Sequence, residues 1–372
     1  MTWREELQQN LTTAKDLEGY LKLSNEDRDK LEAILKIFPM RVTRYYLSLI
    51  NWENYENDPI FKMAVPSIRE TDLSGDLDTS GEHSNTKMRG LQHKYHATAL
   101  VLTTQECAMY CRYCFRRRLV GKEAQEETAD PASVAAYIIS HPEINNVLLS
   151  GGDSFLMDNH AIEDYLDRLT KIDSLDLIRF GTRTPVTFPM RITSDPALLK
   201  LLGRYNKEKQ IVVVTHFNHP HEITPQSTEA VRLLREQGII IRNQTVLLRG
   251  VNDDGKTLGK LLRKLTGIGV LPYYVFQCRP VKGVKSQFQV PFKRGYQIVE
   301  EAKAQQNGQG KAFRYVLSHP TGKIELIGPA ADGNFLFKYH QAKYDKDQGR
   351  IFELSLDDDQ CWLGEIPEEK GT

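Results

Sequence analysis

The sequence predicts an α/β fold. A parallel sheet or barrel of six strand–helix units occupies residues 91–294, a helical extension (1–90) precedes it, and a small α+β portion (295–372) follows. Three observations predict this. Short apolar, β-branched runs recur through the middle of the chain, each gap between them carries a helical pattern, and every unusual motif falls where a strand ends. Strands that are apolar on both faces and joined by helices belong to parallel sheets, whose active groups gather at the carboxyl ends of the strands.

The elements follow in order. "SNEDRDKLEAILKIFPM" opens with a cap at Ser24/Asn25, sets Leu31, Ile34, Leu35 and Phe38 on one helical face and stops before Pro39. The polar stretch "RETDLSGDLDTSGEHSNTKMRG" (69–90) reads as a linker or mobile loop. Six strand runs come next: 98–104, 146–152, 176–184, 210–217, 238–247 and 270–278. Between them lie helical patterns such as "DPASVAAYIISH", where Asp130 caps and Pro131 takes the first turn, and "AIEDYLDRLTKI", "DPALLKLLGRY", "STEAVRLLREQ" and "GKTLGKLLRKLTGI". Beyond residue 295 one helical stretch, "RGYQIVEEAKAQQ", precedes the strand-like pieces "FRYVLS", "GKIELIG", "NFLFKYH" and "GRIFELSL".

The bulk properties narrow the function. Lysine and arginine total 49, matched by 49 aspartates and glutamates, so there is no basic excess for nucleic acid and a small-molecule partner is expected. No apolar stretch approaches the roughly 20 residues of a membrane span, and the charged start "MTWREELQQN" is unlike a signal peptide. Five cysteines, three of them clustered, do not form a disulfide framework and suggest a reducing cytoplasm.

The three lie in "ECAMYCRYCFRRR", where Cys107, Cys111 and Cys114 are spaced C-x3-C-x2-C just past the first strand run. Soft thiolates select zinc, copper(I) or iron–sulfur. A structural zinc wants four ligands, and only His96 or His141 is at hand to complete one. Three thiolates on a cubane cluster would leave one iron open to a substrate or cofactor, whereas a fully ligated cluster only passes electrons.

This pattern resembles the radical S-adenosylmethionine (SAM) enzymes, and from about residue 91 to 328 the chain resembles the lysine 2,3-aminomutase family. The motifs are "CAMYCRYCFRRR", "LLSGGD", "GTRTPVTFPMRIT", "THFNHPHEIT", "NQTVLLRGVNDD" and "GKIEL". The resemblance implies a partial (β/α)6 TIM-like barrel and a 4Fe-4S cluster on Cys107, Cys111 and Cys114, with SAM as the missing ligand. It assigns Gly151, Gly152 and Asp153 of "SGGD", Arg183 beside Thr182, His216 and Gln244 to SAM. The two glycines would let backbone approach a ligand closely. It assigns Lys323 to pyridoxal phosphate (PLP) as the lysine that condenses with it, with Lys94 and Tyr95 near the phosphate. A single glycine, Gly322, precedes that lysine where relatives have a longer run, and Tyr113 stands where the family has histidine.

Arg116 corresponds to the arginine that grips the substrate carboxylate. Lysine-specific members place two aspartates around the distal ammonium, and here those positions hold Arg279 and Ser318. The expectation is an acidic substrate, glutamate converted to β-glutamate, with lysine as the alternative. Relatives also bind zinc through a cysteine near "RGVND" and a terminal cysteine cluster, but here Asp253 and Asp254 follow that motif and only Cys361 remains, so no structural zinc is expected. The resemblance further implies an external electron donor such as flavodoxin or ferredoxin, and a homo-oligomer. The rivals are a relative acting on another amino acid, including the lysylation-factor branch that makes free β-lysine, and a non-enzymatic iron–sulfur electron carrier or sensor.

Overall fold

A computed structural model describes residues 2–120 and 128–367 of the chain. Twelve strands form one sheet in sequence order: β1 (Thr86–Met88), β2 (Leu91–Tyr95), β3 (Thr98–Thr104), β4 (Asn146–Gly151), β5 (Leu177–Gly181), β6 (Gln210–Thr215), β7 (Ile240–Leu247), β8 (Leu271–Gln277), β9 (Arg314–His319), β10 (Gly322–Pro329), β11 (Phe335–Ala342) and β12 (Ile351–Leu354). From β3 to β9 every pairing is parallel, and on either side the pairings are antiparallel. Parallel strands in unbroken order, each followed by a crossover helix, put all the helices on one face, which is the winding of a barrel.

All six expected strand runs are present as β3–β8, with helices between them at Pro131–Ile139, Asn159–Leu169, Pro196–Tyr205, Pro225–Glu236 and Gly255–Gly267. Their starts are fixed by side-chain caps. Asp130 accepts from Ser133 N at 2.8 Å with Pro131 in the first turn, and Asp195 and Asp254 cap Leu198 and Thr257 at 3.0 and 2.8 Å.

Alternation along each strand sorts the two faces. On β4, Val147 and Leu149 are fully buried, while Leu148 and Ser150 turn to the cavity inside the barrel. On β5, Ile178 and Phe180 are buried while Arg179 and Gly181 face that cavity.

Two expectations change. The C-terminal strands are not a separate appendage: β9 pairs with β8, so the antiparallel strands continue the barrel sheet. The polar stretch 69–90 is not a plain linker either. It forms a turn of 3-10 helix (Ile68–Thr71), a single helical turn (Glu82–Asn85) and β1, and it is stitched to the loop after β8. Asp76 N donates to Pro280 O at 3.1 Å and Gly283 N to Asp72 O at 2.9 Å. At Gly75, φ is +97° and a Cβ would lie 2.2 Å from Pro280 O, so only glycine permits this approach.

Candidate active site

The barrel encloses a cavity of about 370 Å³. The residues that the resemblance assigns to cluster, SAM, PLP and substrate line it: Cys107, Cys111 and Cys114; Gly151, Gly152 and Asp153; Arg183, His216 and Gln244; Lys94, Tyr95 and Lys323; Arg116, Arg279 and Ser318. They come from the ends of β3, β4, β5, β6 and β8 and from within β2, β7, β9 and β10.

The cysteine loop leaves β3 and is held by backbone of the N-terminal region. Tyr110 N donates to Arg41 O and Arg112 N to Met63 O, both at 2.9 Å, and Asn10 Nδ2 reaches Ala108 O at 2.9 Å. From the barrel side, Gly152 N donates to Thr104 O at 2.6 Å and Asp153 N to Glu106 O at 2.7 Å. Both glycines line the cavity, and they also make a close approach within the protein. A Cβ on Gly152 would sit 2.2 Å from Glu106 O and one on Gly151 2.4 Å from Thr104 O, so the close approach that excludes side chains is to the root of the cysteine loop.

Burial, the Asp153 carboxylate and the neighbouring sulfurs push the Cys107 thiol well above its ordinary range, and burial with Cys111 pushes Cys114 up to about 11. Buried thiols this close together are suited to a cationic metal centre, which offsets the cost of ionising them. Among the described residues no three His, Cys, Asp or Glu converge as a single ion requires. The zinc alternative also fails on position. His96 precedes β3 and His141 precedes β4, a strand length from the cysteine loop, and His141 Nδ1 is paired with Tyr137 O at 2.8 Å.

The arginine run is divided between two buried carboxylates of the stretch 69–90. Glu70 takes Arg112 (Oε1 to Nε 2.9 Å, Oε2 to Nη2 2.5 Å) and Arg117 (Oε2 to Nη2 2.5 Å) on the outer side of the loop. Glu82 takes Arg116 Nε at 2.7 Å and Arg118 Nη2 at 2.8 Å on the cavity side. Burial works against the Glu82 charge, but Arg116, Arg118 and Arg279 outweigh it and hold the carboxyl down at about 2.

At the ends of β4 and β5, Asp153 accepts from Thr182 Oγ1 at 2.5 Å, Arg183 N at 2.7 Å and Phe155 N at 3.1 Å, so its carboxylate is already largely engaged. His216 stacks on Tyr113 with ring centres 5.6 Å apart, and burial with the Arg183 charge holds it neutral, down at about 3. Gln244, on β7, opens onto the cavity beside them.

Across the cavity, Lys323 and Ser318 are register partners on β10 and β9. The β9–β10 hairpin turns through Pro320 and Thr321 alone, and a Cβ on Gly322 would meet Gln341 O at 2.4 Å. The Lys323 ammonium lies 4.3 Å from the Tyr274 ring centre and donates to Gln341 Oε1 at 3.1 Å. Burial, then Arg179, Lys94 and Arg279, lower its pKa to about 7. Lys94 falls to about 7 as well, from burial and then Arg279. Its amine donates to His319 O at 2.6 Å. Tyr95 shares a hydrogen bond with Ser318. Arg279 lies 3.9 Å over the Phe115 ring, and its Nη1 is buried with no partner.

Glu82, Arg179, Tyr274 and Gln341 were not anticipated. For Glu82 the only available signal was an unpaired arginine run, and for Arg179 a charge in an otherwise apolar strand.

The radical SAM superfamily model matches residues 101–262. An Aquifex aeolicus (strain VF5) protein provisionally named L-lysine 2,3-aminomutase is 40% identical over 355 residues, covering 95% of this chain and 94% of that one. The L-lysine 2,3-aminomutase of Clostridium subterminale is 38% identical over 309 residues, 82% of this chain and 73% of its own. The glutamate 2,3-aminomutase of Clostridioides difficile (strain 630) is 34% identical over 322 residues, 86% and 74%. The superfamily implies a 4Fe-4S cluster and SAM, and the donor set fits: three crowded thiols in one loop, beside a cavity rich in hydrogen-bonding groups. By these likenesses the chain belongs to the lysine 2,3-aminomutase family of radical SAM enzymes and is an isomerase, an aminomutase, rather than an electron carrier.

Proposed function

We propose that the protein moves the α-amino group of a free acidic amino acid to the β-carbon, with glutamate to β-glutamate as the leading case, using PLP as well as SAM. The observation that carries the substrate is Arg279, a guanidinium on the cavity wall with a buried, unpartnered Nη1. The lining holds four guanidiniums, Arg116, Arg179, Arg183 and Arg279, besides the amines of Lys94 and Lys323, against two carboxylates, Glu82 and Asp153, both engaged by the protein's own donors. A substrate ammonium about 4 Å from Arg279 would be opposed by about 4 kcal/mol at an effective dielectric of ~20, and a distal carboxylate favoured by as much.

When bound, the cluster with SAM supplies a hydrogen-abstracting radical, and PLP supplies a π system for the migrating nitrogen. The residues provide the rest. Lys323, lowered to about 7, presents a neutral amine at neutral pH, as a nucleophile toward a carbonyl must. Lys94 and Tyr95 stand beside it to hold a phosphate. Arg116 is anchored at one edge by Glu82 and at Nη1 by Ser150 Oγ (3.1 Å), which aims the fork at the α-carboxylate. The surrounding barrel keeps water from reactive species. An external one-electron donor of the flavodoxin or ferredoxin class and a reducing cytoplasm complete the reading.

Lysine remains the second reading, favoured by the names of the more similar relatives. Purified enzyme with SAM and PLP, reduced anaerobically, should turn over glutamate, and Arg279→Asp should lose that activity at least tenfold. Lysine turnover with glutamate inert would defeat the charge argument.

A further inference from the structure

We propose that Arg183, held in place by Glu222, sets the reduction potential of the iron–sulfur cluster through its contact with the Cys111 sulfur. Arg183 follows β5 in a buried loop, and each arm of its guanidinium is committed. Nη1 donates to Cys111 Sγ at 2.8 Å, Nε to His216 O at 3.1 Å, and Nη2 to Glu222 Oε1 at 2.6 Å and Tyr46 Oη at 3.2 Å. The Tyr46 and Tyr113 rings lie 5.4 and 5.5 Å from its central carbon.

Glu222 is fully buried and is itself fixed by four donors. Oε1 takes Arg183 and the Tyr46 hydroxyl (2.6 Å), and Oε2 takes the backbone N–H groups of Asn218 and His219 at 2.5 and 2.9 Å. The result is a rigid chain, Glu222 to Arg183 to Cys111, with a full positive charge and an aligned N–H against one sulfur. Arg183 donates directly to Cys111, while Arg117 and Arg116 act on Cys114, and Arg41 on Cys107, as nearby charges. After burial, the largest influence on Cys107 is the acid Asp153.

Cluster potentials respond to net charge, hydrogen bonds to sulfur and solvent exposure. Reduction adds negative charge that spreads onto the sulfurs, so a cation and a donor at Cys111 favour the reduced state and raise the potential. Glu222 partly cancels that cation and therefore lowers it. Arg183 acts on the cluster ligand directly, and Glu222 is a positioning and compensating residue.

The test is a mediator titration with dithionite on anaerobically reconstituted holoenzyme, without SAM, following the electron paramagnetic resonance signal of the reduced cluster. Leaving SAM out removes any contribution from an Arg183 contact to it. Arg183→Met should move the midpoint to more negative potential, and Arg183→Lys, which keeps the charge, should move it less in the same direction. Glu222→Gln, with unchanged size and one acceptor oxygen retained, should move it to more positive potential. Opposite signs are the signature of charge, because loosened packing would push both variants the same way. Shifts of one sign, unchanged midpoints, or failure of Arg183→Lys to retain a cluster would each overturn the proposal. The outcome is independent of the substrate assignment, so inert glutamate leaves it standing.

Discussion

The two faces of the cysteine loop use the same chemistry for different ends. On the outer face Arg112 and Arg117 meet Glu70 in a sealed contact, with side chains 2%, 6% and 0% exposed. Arg112 also donates to Phe38 O and Pro39 O, and Arg117 donates from Nη1 to Lys282 O at 3.2 Å and lies 3.6 Å over the Phe38 ring, with its buried Nε left without a partner. On the inner face Arg116 and Arg118 meet Glu82, but that group opens onto the cavity, where Nη1 of Arg279 is buried without a hydrogen-bond partner. A buried ion pair is a strut when it is closed in by protein, and a binding wall when it opens onto the main cavity.

The largest effect should come from breaking the strut. Glu70→Gln leaves two guanidiniums buried without a counter-charge and should cost about 3–5 kcal/mol of folding stability in urea titrations of the apoprotein, with loss of iron retention in the reconstituted form. A cost below about 1 kcal/mol, within the range of a surface pair, would show that the outer face is solvated after all.

That strut marks the limit of what the sequence discloses. The strands β3–β8 were legible because runs such as "QIVVVT" and caps such as Asp195 are local signals. The cavity residues were legible because motifs at strand ends converge once the strands are parallel. Glu70 and Glu82 were not, because a 3-10 turn and a one-turn helix have no periodicity, and the partners of these acids lie 34 to 47 residues away. Nor was the joining of β9 to β8, since which edge a strand pairs with is set by tertiary packing. The glycines of "SGGD" were recognised as special, but their close approach to the cysteine loop was not foreseen.

Removing the charge of the inner carboxylate should do less to folding and more to binding. In Glu82→Gln, cavity water can reach the guanidiniums, so the stability cost should be about 1–3 kcal/mol. Arg116 loses its anchor, and KM for the amino acid should rise about tenfold, roughly 1.4 kcal/mol, with a smaller change in kcat. A stability loss exceeding that of Glu70→Gln would erase the distinction between the faces.

The smallest effect, and the one that separates the inner wall from the rest of the protein, is in the pH dependence of apoprotein stability. Glu82 is held at about 2 in the fold against an ordinary 4.5, so its contribution is present above about pH 4.5 and lost as the pH falls toward 2. Lys94 and Lys323 give a slope of the same sign at the other end of the pH range, because there it is the charged form that burial disfavours. Each is lowered to about 7 from 10.5, so between those values the unfolded chain binds protons that the folded chain does not, and stability climbs as the pH rises through that window. The two ammonium groups repel each other, so the protons leave as a coupled pair and the climb is broad. Urea midpoints measured without PLP should therefore fall at the acid end and rise at the alkaline end. Glu82→Gln should flatten only the acid limb, and Lys323→Met only the alkaline one. If Lys323→Met leaves the alkaline limb unchanged, its amine is charged at neutral pH in the folded state. The cavity then does not prepare it as a nucleophile.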